Sequence, residues 1–129
     1  MTPRQEGNQT RREVLGDAHV DRAEASVTSF NADFQDFITR YAWGEIWTRP
    51  GLDRHVRRLV TIAMLAALGR DEELDMHIRA ALDDGVTAEE LSELLMHVGV
   101  YAGLPAANRA FTIAGRTLAE RESTGRGDT

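Results

Sequence analysis

Cysteine is absent from this chain of 129 residues. That removes disulfides, thiolate nucleophiles, thiolate metal sites and dithiol redox chemistry together. Long apolar runs are missing too. The longest, Leu59–Leu68, is interrupted by Thr61 and reaches roughly half of the ~20 residues a bilayer span needs. The opening MTPRQEGNQTRREVLG has no apolar segment of the kind a secretory signal carries. Positive charge is in deficit: 15 basic against 21 acidic side chains leave a net charge of −6 and a pI near 5.2. Such a surface repels phosphate backbones, so nucleic acid is not an expected partner, nor is a membrane. The basic set is arginine, whose planar fork suits carboxylates, so a few well-placed arginines can hold an anionic ligand. The expectation is a soluble, cytoplasmic protein with one domain's worth of chain.

No segment alternates with period two, so no sheet is expected. What remains is helix, giving an all-α chain of about six helices with short connections that favour antiparallel neighbours. Residues 1–10 read as a flexible polar lead and 122–129, with two glycines, as a flexible tail. Between them the domain is 11–121. A short helix is expected over about Arg11–Ala18. A second, Phe30–Trp47, carries Phe30, Phe34, Phe37 and Tyr41 as one aromatic stripe, and Pro50–Gly51 ends it. A third follows Asp53 as N-cap and stops at Gly69; its second half, LVTIAMLAAL, is apolar all round, as at a fold centre or a subunit interface. A fourth runs from Asp71 to Asp84 before Gly85. Thr87 and Glu90 form a capping box for a fifth ending at Gly103, and Pro105 opens the last, to about Arg121. Small residues crowd the third helix (Ala63, Ala66, Ala67) and the last (Ala106, Ala107, Ala110, Ala114, Gly115), favouring close helix approach and a homo-oligomer.

The titratable candidates follow from helical facing. His77 follows Leu74 by three, and His97 follows Leu94 by three and precedes Tyr101 by four, placing both on or beside apolar stripes. One such histidine is ordinarily a core residue bonded to a carbonyl or carboxylate. Two on successive helices point to a shared cavity where protons are traded near neutrality. No H-x-x-x-H or H-E-x-x-H occurs, so no metal is expected. His19 and His55 read as surface or capping residues. Arg40, Trp43 and Trp47 are spaced to share a face, and Glu45 is a lone acid among aromatics, open either to proton transfer or to pairing with Arg49. Arg57 and Arg58 head the apolar helix and project about 100° apart. The acids Asp71, Glu72, Glu73 and Asp75 read as a solvated cap, and Asp83, Asp84, Glu89, Glu90 and Glu93 as exposed faces.

The blocks FNADFQDFITRYAWGEIWTRPGL, RLVTIAMLAALGRDEELDMHIRAAL, GVTAEEL and HVGVYAGLPAANRA resemble the 4-carboxymuconolactone decarboxylase family, from about Arg11 to Ala119. The resemblance implies an all-helical fold related to alkylhydroperoxidase D and a ring-like homo-oligomer, a hexamer or trimer. It implies decarboxylation of γ-carboxymuconolactone, a small anionic lactone, to β-ketoadipate enol-lactone in protocatechuate catabolism, with no cofactor. The peroxidase branch uses Cys-x-x-Cys followed by a histidine. Here that histidine is His77 and the cysteine positions are Arg70 and Glu73, which excludes thiol peroxidase chemistry. The reading therefore assigns His77, then His97, as proton donor, with Glu45 to orient a histidine. Arg40, Arg57 and Arg58 are the candidate carboxylate holders, and Trp43, Trp47 and Tyr101 the candidate pocket walls. A related lactone decarboxylase or isomerase, or a non-catalytic helical oligomer, are the alternatives.

Overall fold

The computed structural model describes residues 1–127, with side chains through Thr124, and all regular structure among them is helical. There are seven α-helices rather than about six, with a π-helical stretch: α1 (Pro3–Leu15), α2 (Asp17–Ala25), α3 (Ala32–Ile38) continuing into the π stretch Thr39–Ile46, α4 (Arg54–Leu68), α5 (Asp71–Asp83), α6 (Ala88–Ala102) and α7 (Leu104–Gly127). None is long and apolar enough to cross a membrane. The helices fall into two compact units, residues 1–54 and 55–129, which are described separately.

In the first unit, helix begins far earlier than the polar composition suggested. Thr2 caps α1 by accepting from the Gln5 backbone N–H, the Gln5 side chain accepts from the Thr2 N–H, and Pro3 sits in the first turn. This reciprocal box satisfies N–H groups that would otherwise fray. Gly16 (φ 90°) breaks the chain between α1 and α2, so the single helix expected over Arg11–Ala18 is two. The next helix starts at Ala32 rather than Phe30, because Thr28 and Asn31 bond the intervening turn: the Thr28 N–H donates to Asn31 Oδ1 at 2.8 Å. Phe30, Phe34, Phe37 and Tyr41 are 97, 59, 48 and 52% exposed, so the aromatic stripe lies on an uncovered face. Phe37 and Tyr41 stack on each other with centroids 5.4 Å apart.

Helix α1 lies against the π stretch at backbone distance. A Cβ on Gly7 would stand 2.0 Å from the Thr39 carbonyl oxygen, and one on Gly44 would stand 2.7 Å from that of Pro3. Only glycine permits this approach.

The second unit builds its core from all four of its helices. Ile62 and Ala66 of α4, Leu74, Ile78 and Ala81 of α5, Leu91, Leu95 and Val98 of α6, and Ala110, Ile113 and Ala114 of α7 form one buried cluster with Val86. The expected stops hold: Gly69 and Gly85 adopt φ of 71° and 96°, and α6 ends at Gly103. The Thr87–Glu90 capping box is present. Small residues do bring α6 and α7 close, a Cβ on Gly99 falling 3.2 Å from Ala107 Cβ. Helix continues to Gly127, past the expected end near Arg121; the rest of the expected tail, Asp128 and Thr129, lies outside the described residues.

These spacings predict opposite signs for two glycine-to-alanine changes. Gly7→Ala must displace backbone and is expected to lower stability by about 1–3 kcal/mol. Gly115, in α7 with open space around its Cβ direction, should gain about 0.5–1 kcal/mol when changed to Ala, from helix propensity. Urea-unfolding midpoints of the two variants check both.

Candidate functional site

In the second unit, α5 turns its two sides to different chemistry. Leu74, His77, Ile78 and Ala81 are buried along one face, so His77 occupies the inward stripe, at 8% exposure. The other side carries polar groups four residues apart, each meeting α7. Asp71 pairs with Arg109, the Thr117 hydroxyl donates to Asp75 Oδ1 at 2.7 Å, Arg79 donates to Glu120 at 2.8 Å, and Arg121 to Asp83 at 2.8 Å. Partner numbers rise together, so α5 and α7 run parallel with α6 returning between them in the chain. Burial pushes the Asp75 carboxyl up, but the Thr117 hydroxyl and the Arg79 guanidinium outweigh it and hold it below the ordinary carboxylate range.

Arg58 is the most unusual side chain. It lies on the α4 stripe with Ile62 and Ala66 and is only 1% exposed. Its Nε donates to Asp84 Oδ2 at 3.1 Å. Asp84 is the C-cap of α5, seven residues after His77, with a backbone (φ −113°, ψ 24°) that leaves the helical path. Arg57 is half-buried.

One expectation about this unit fails, and two others gain a partner that the sequence did not show. His97 is exposed and packs its ring on Tyr101, itself 81% exposed, at 5.1 Å. The buried face of α6 is Leu91, Leu95, Val98 and Gly99, and His97 lies outside that stripe, so the two histidines do not share one buried environment. His55 is more than a surface ring: its Nε2 lies 2.7 Å from Glu90 Oε2, and the other Glu90 oxygen accepts from the Thr87 N–H. Asp84 is exposed, as expected, and its carboxylate also holds buried Arg58. The missed signal was the period of four in Asp71, Asp75, Arg79 and Asp83, which marks a polar helix face that meets another helix.

In the first unit, Trp43 (7% exposed) and half-buried Trp47 stack at 5.1 Å with planes 28° apart. Arg40 does not share their face; it is exposed and bonds Asp36 Oδ2 at 2.8 Å. The reason is the π stretch, in which the Trp47 N–H reaches back five residues to Ala42. A turn then takes more than four residues, and a three-residue spacing no longer returns to one face. Glu45 is exposed as well, without the buried surroundings expected of a tuned acid.

Among the described residues, no three His, Asp or Glu side chains converge as a metal site. His77 is thus a buried imidazole on α5, and Arg58 a buried guanidinium held by the carboxylate at the end of that helix. The chain belongs to the carboxymuconolactone decarboxylase family, which it matches over residues 32–115. It is 57% identical over 109 residues to a 4-carboxymuconolactone decarboxylase of Acinetobacter baylyi, covering 84% of this chain and 81% of that protein. A 4-carboxymuconolactone decarboxylase of Pseudomonas putida is 56% identical over 39 residues, 30% of this chain and 81% of that one. A nitrosuccinic acid decarboxylase of Metarhizium robertsii is 38% identical over 113 residues, covering 88 and 79%.

The His55–Glu90 contact predicts an acid-sensitive joint between α4 and α6. The His55 side chain first, and the Thr87 N–H second, hold the Glu90 carboxyl below its ordinary range. Its contribution to stability is therefore complete above the unfolded value of about 4.3 and is lost as pH falls through the lower folded value. Urea midpoints measured from about pH 6 down to about pH 3 should fall more steeply for wild type than for Glu90→Gln. Parallel curves would count against the joint.

Proposed function

We propose that this chain is a decarboxylase that converts γ-carboxymuconolactone to β-ketoadipate enol-lactone without a cofactor, as a cytoplasmic homo-oligomer in protocatechuate breakdown. The supporting observation is that α5 carries the buried imidazole of His77 and that Asp84, at its C-terminal end, holds the buried guanidinium of Arg58. The match to a protein bearing the decarboxylase name over most of both chains supports the reaction.

The substrate supplies its own electron sink. The bond from the ring γ-carbon to its carboxylate breaks, carbon dioxide leaves, and the electron pair runs through the ring double bond onto the lactone carbonyl oxygen. Protonation of the ring carbon beside that carbonyl gives the enol-lactone. The protein must hold the retained acetate arm, stabilise the oxyanion and deliver the proton. Arg58 holds a carboxylate, with half-buried Arg57 as a second candidate, and His77 donates the proton or meets the oxyanion. Burial strengthens each interaction by excluding water.

Two uncovered apolar stripes support self-association. On α4, Val56, Val60, Met64 and Leu68 are 38, 36, 58 and 65% exposed at four-residue spacing, and the Phe30–Tyr41 rings form the other. Apolar stripes of this kind are ordinarily interaction surfaces.

A second reading keeps the chemistry and changes the substrate. Nitrosuccinic acid, for which one relative is named, carries a nitro group beside a carboxylate, and that group also accepts the electron pair left by carbon dioxide. Assay of both acids separates the two readings.

With γ-carboxymuconolactone, wild type should release carbon dioxide in the presence of a chelator at an undiminished rate. His77→Gln should lose about 10²–10⁴-fold in kcat while keeping its helical circular dichroism. A folded His77→Gln protein working at the wild-type rate would remove His77 from the mechanism.

A further inference from the structure

We propose that Asp84 is a positioning residue: by gripping Nε of Arg58 it fixes the orientation in which the buried guanidinium meets a substrate carboxylate. The inference rests on the decarboxylase reading above and adds a residue to it.

A guanidinium with a side chain 2% exposed has given up its hydration, and an arginine has several rotatable bonds with which to wander. A carboxylate on an anchored stretch of backbone restricts that freedom. Asp84 meets that condition. Its backbone N–H and that of Val86 both donate to the Ala81 carbonyl, at 3.1 and 3.0 Å, closing the end of α5 into a tight corner. Gly85 makes the bend at φ 96°, and Val86 beyond it is buried at 3%. The corner is therefore anchored in the core on one side and in the helix on the other. The carboxylate that projects from it is 58% exposed, so it keeps most of its own hydration while reaching a cation that has none.

The adjacent acid supplies an internal control. Asp83 bonds Arg121 of α7 at 2.8 Å, with 69 and 40% of the two side chains exposed. One aspartate thus holds two helices together at the surface, and its neighbour addresses a buried charge on α4. A merely structural role for Asp84 would lower the melting temperature and leave KM as unchanged as Asp83→Asn leaves it.

The test compares Asp84→Asn, Asp84→Glu and Asp83→Asn by steady-state turnover of γ-carboxymuconolactone, melting temperature, and binding of muconolactone, which lacks the departing carboxylate. Loss of a hydrogen bond between charged groups should raise KM for Asp84→Asn about tenfold, with kcat changed much less. Asp84→Glu should recover part of that loss. Asp83→Asn should keep the wild-type KM whatever its melting temperature. In an Arg58→Lys background, which has no fork to orient, Asp84→Asn should add nothing further.

Equal KM values for Asp84→Asn and Asp83→Asn overturn the proposal, and so does an undiminished Asp84→Asn effect in the Arg58→Lys background. Should wild type bind muconolactone without decarboxylating the lactone, the reaction assignment falls. The Asp84 role is then decided by whether Asp84→Asn weakens that binding. A wild type that does neither overturns both.

Discussion

Within the second unit, everything depends on the rotational setting of α5. Its four polar contacts with α7 recur every fourth residue, so they mark a single seam along the helix. Each exposed pair contributes little by itself, because water screens it. Their joint effect is geometric. A helix held along one seam has no freedom to roll, and the face bearing Leu74, His77, Ile78 and Ala81 is committed to the core. The partly buried Asp75 is the firmest point of the seam, because two donors overcome its desolvation. Rotation by one residue, about 100°, would expose the apolar stripe and take His77 out of it.

Much of this was legible in the sequence. Apolar residues at three- and four-residue spacing gave the helices of the second unit. The glycines gave their ends, and Thr87 with Glu90 gave a start. His77 was placed correctly because its neighbours Leu74 and Ala81 leave its helix only one apolar face. His97 was misplaced because α6 has Leu94, Met96, Val98, Val100 and Tyr101 around much of its circumference, and hydrophobicity alone does not say which side packs. The first unit was less legible for two physical reasons. Capping chemistry at Thr2–Gln5 makes helix from a polar segment, and a π stretch changes the residues per turn at Arg40, Trp43 and Trp47, whose shared face would need 3.6.

Ion-pair partners were the least legible feature. Acids near helix ends look alike in sequence whether they face water or another helix. Asp83 and Asp84 are adjacent, yet one bonds a half-exposed arginine on α7 and the other a buried arginine on α4. What distinguishes them is the corner after α5, which turns Asp84 off the helical path. A buried guanidinium is poor value as a stabiliser, since well-packed apolar residues commonly do as well or better than buried ion pairs. Under the proposed function, its presence on a stripe otherwise made of Ile62 and Ala66 serves to hold a substrate carboxylate.

The same helix carries the argument for self-association. On α4 the buried positions Arg58, Ile62 and Ala66 and the uncovered positions Val56, Val60, Met64 and Leu68 are offset by two residues, or about 200°. The helix is therefore apolar on opposite sides, as LVTIAMLAAL suggested, and one chain buries only one of them. Leaving four aliphatic side chains in water forgoes roughly 25 cal/mol for every Å² that a partner would cover. In the proposed homo-oligomer a second copy would offer the same stripe, and α4 meeting α4 would remove both from water. That arrangement would also brace, from behind, the helix on which Arg58 stands.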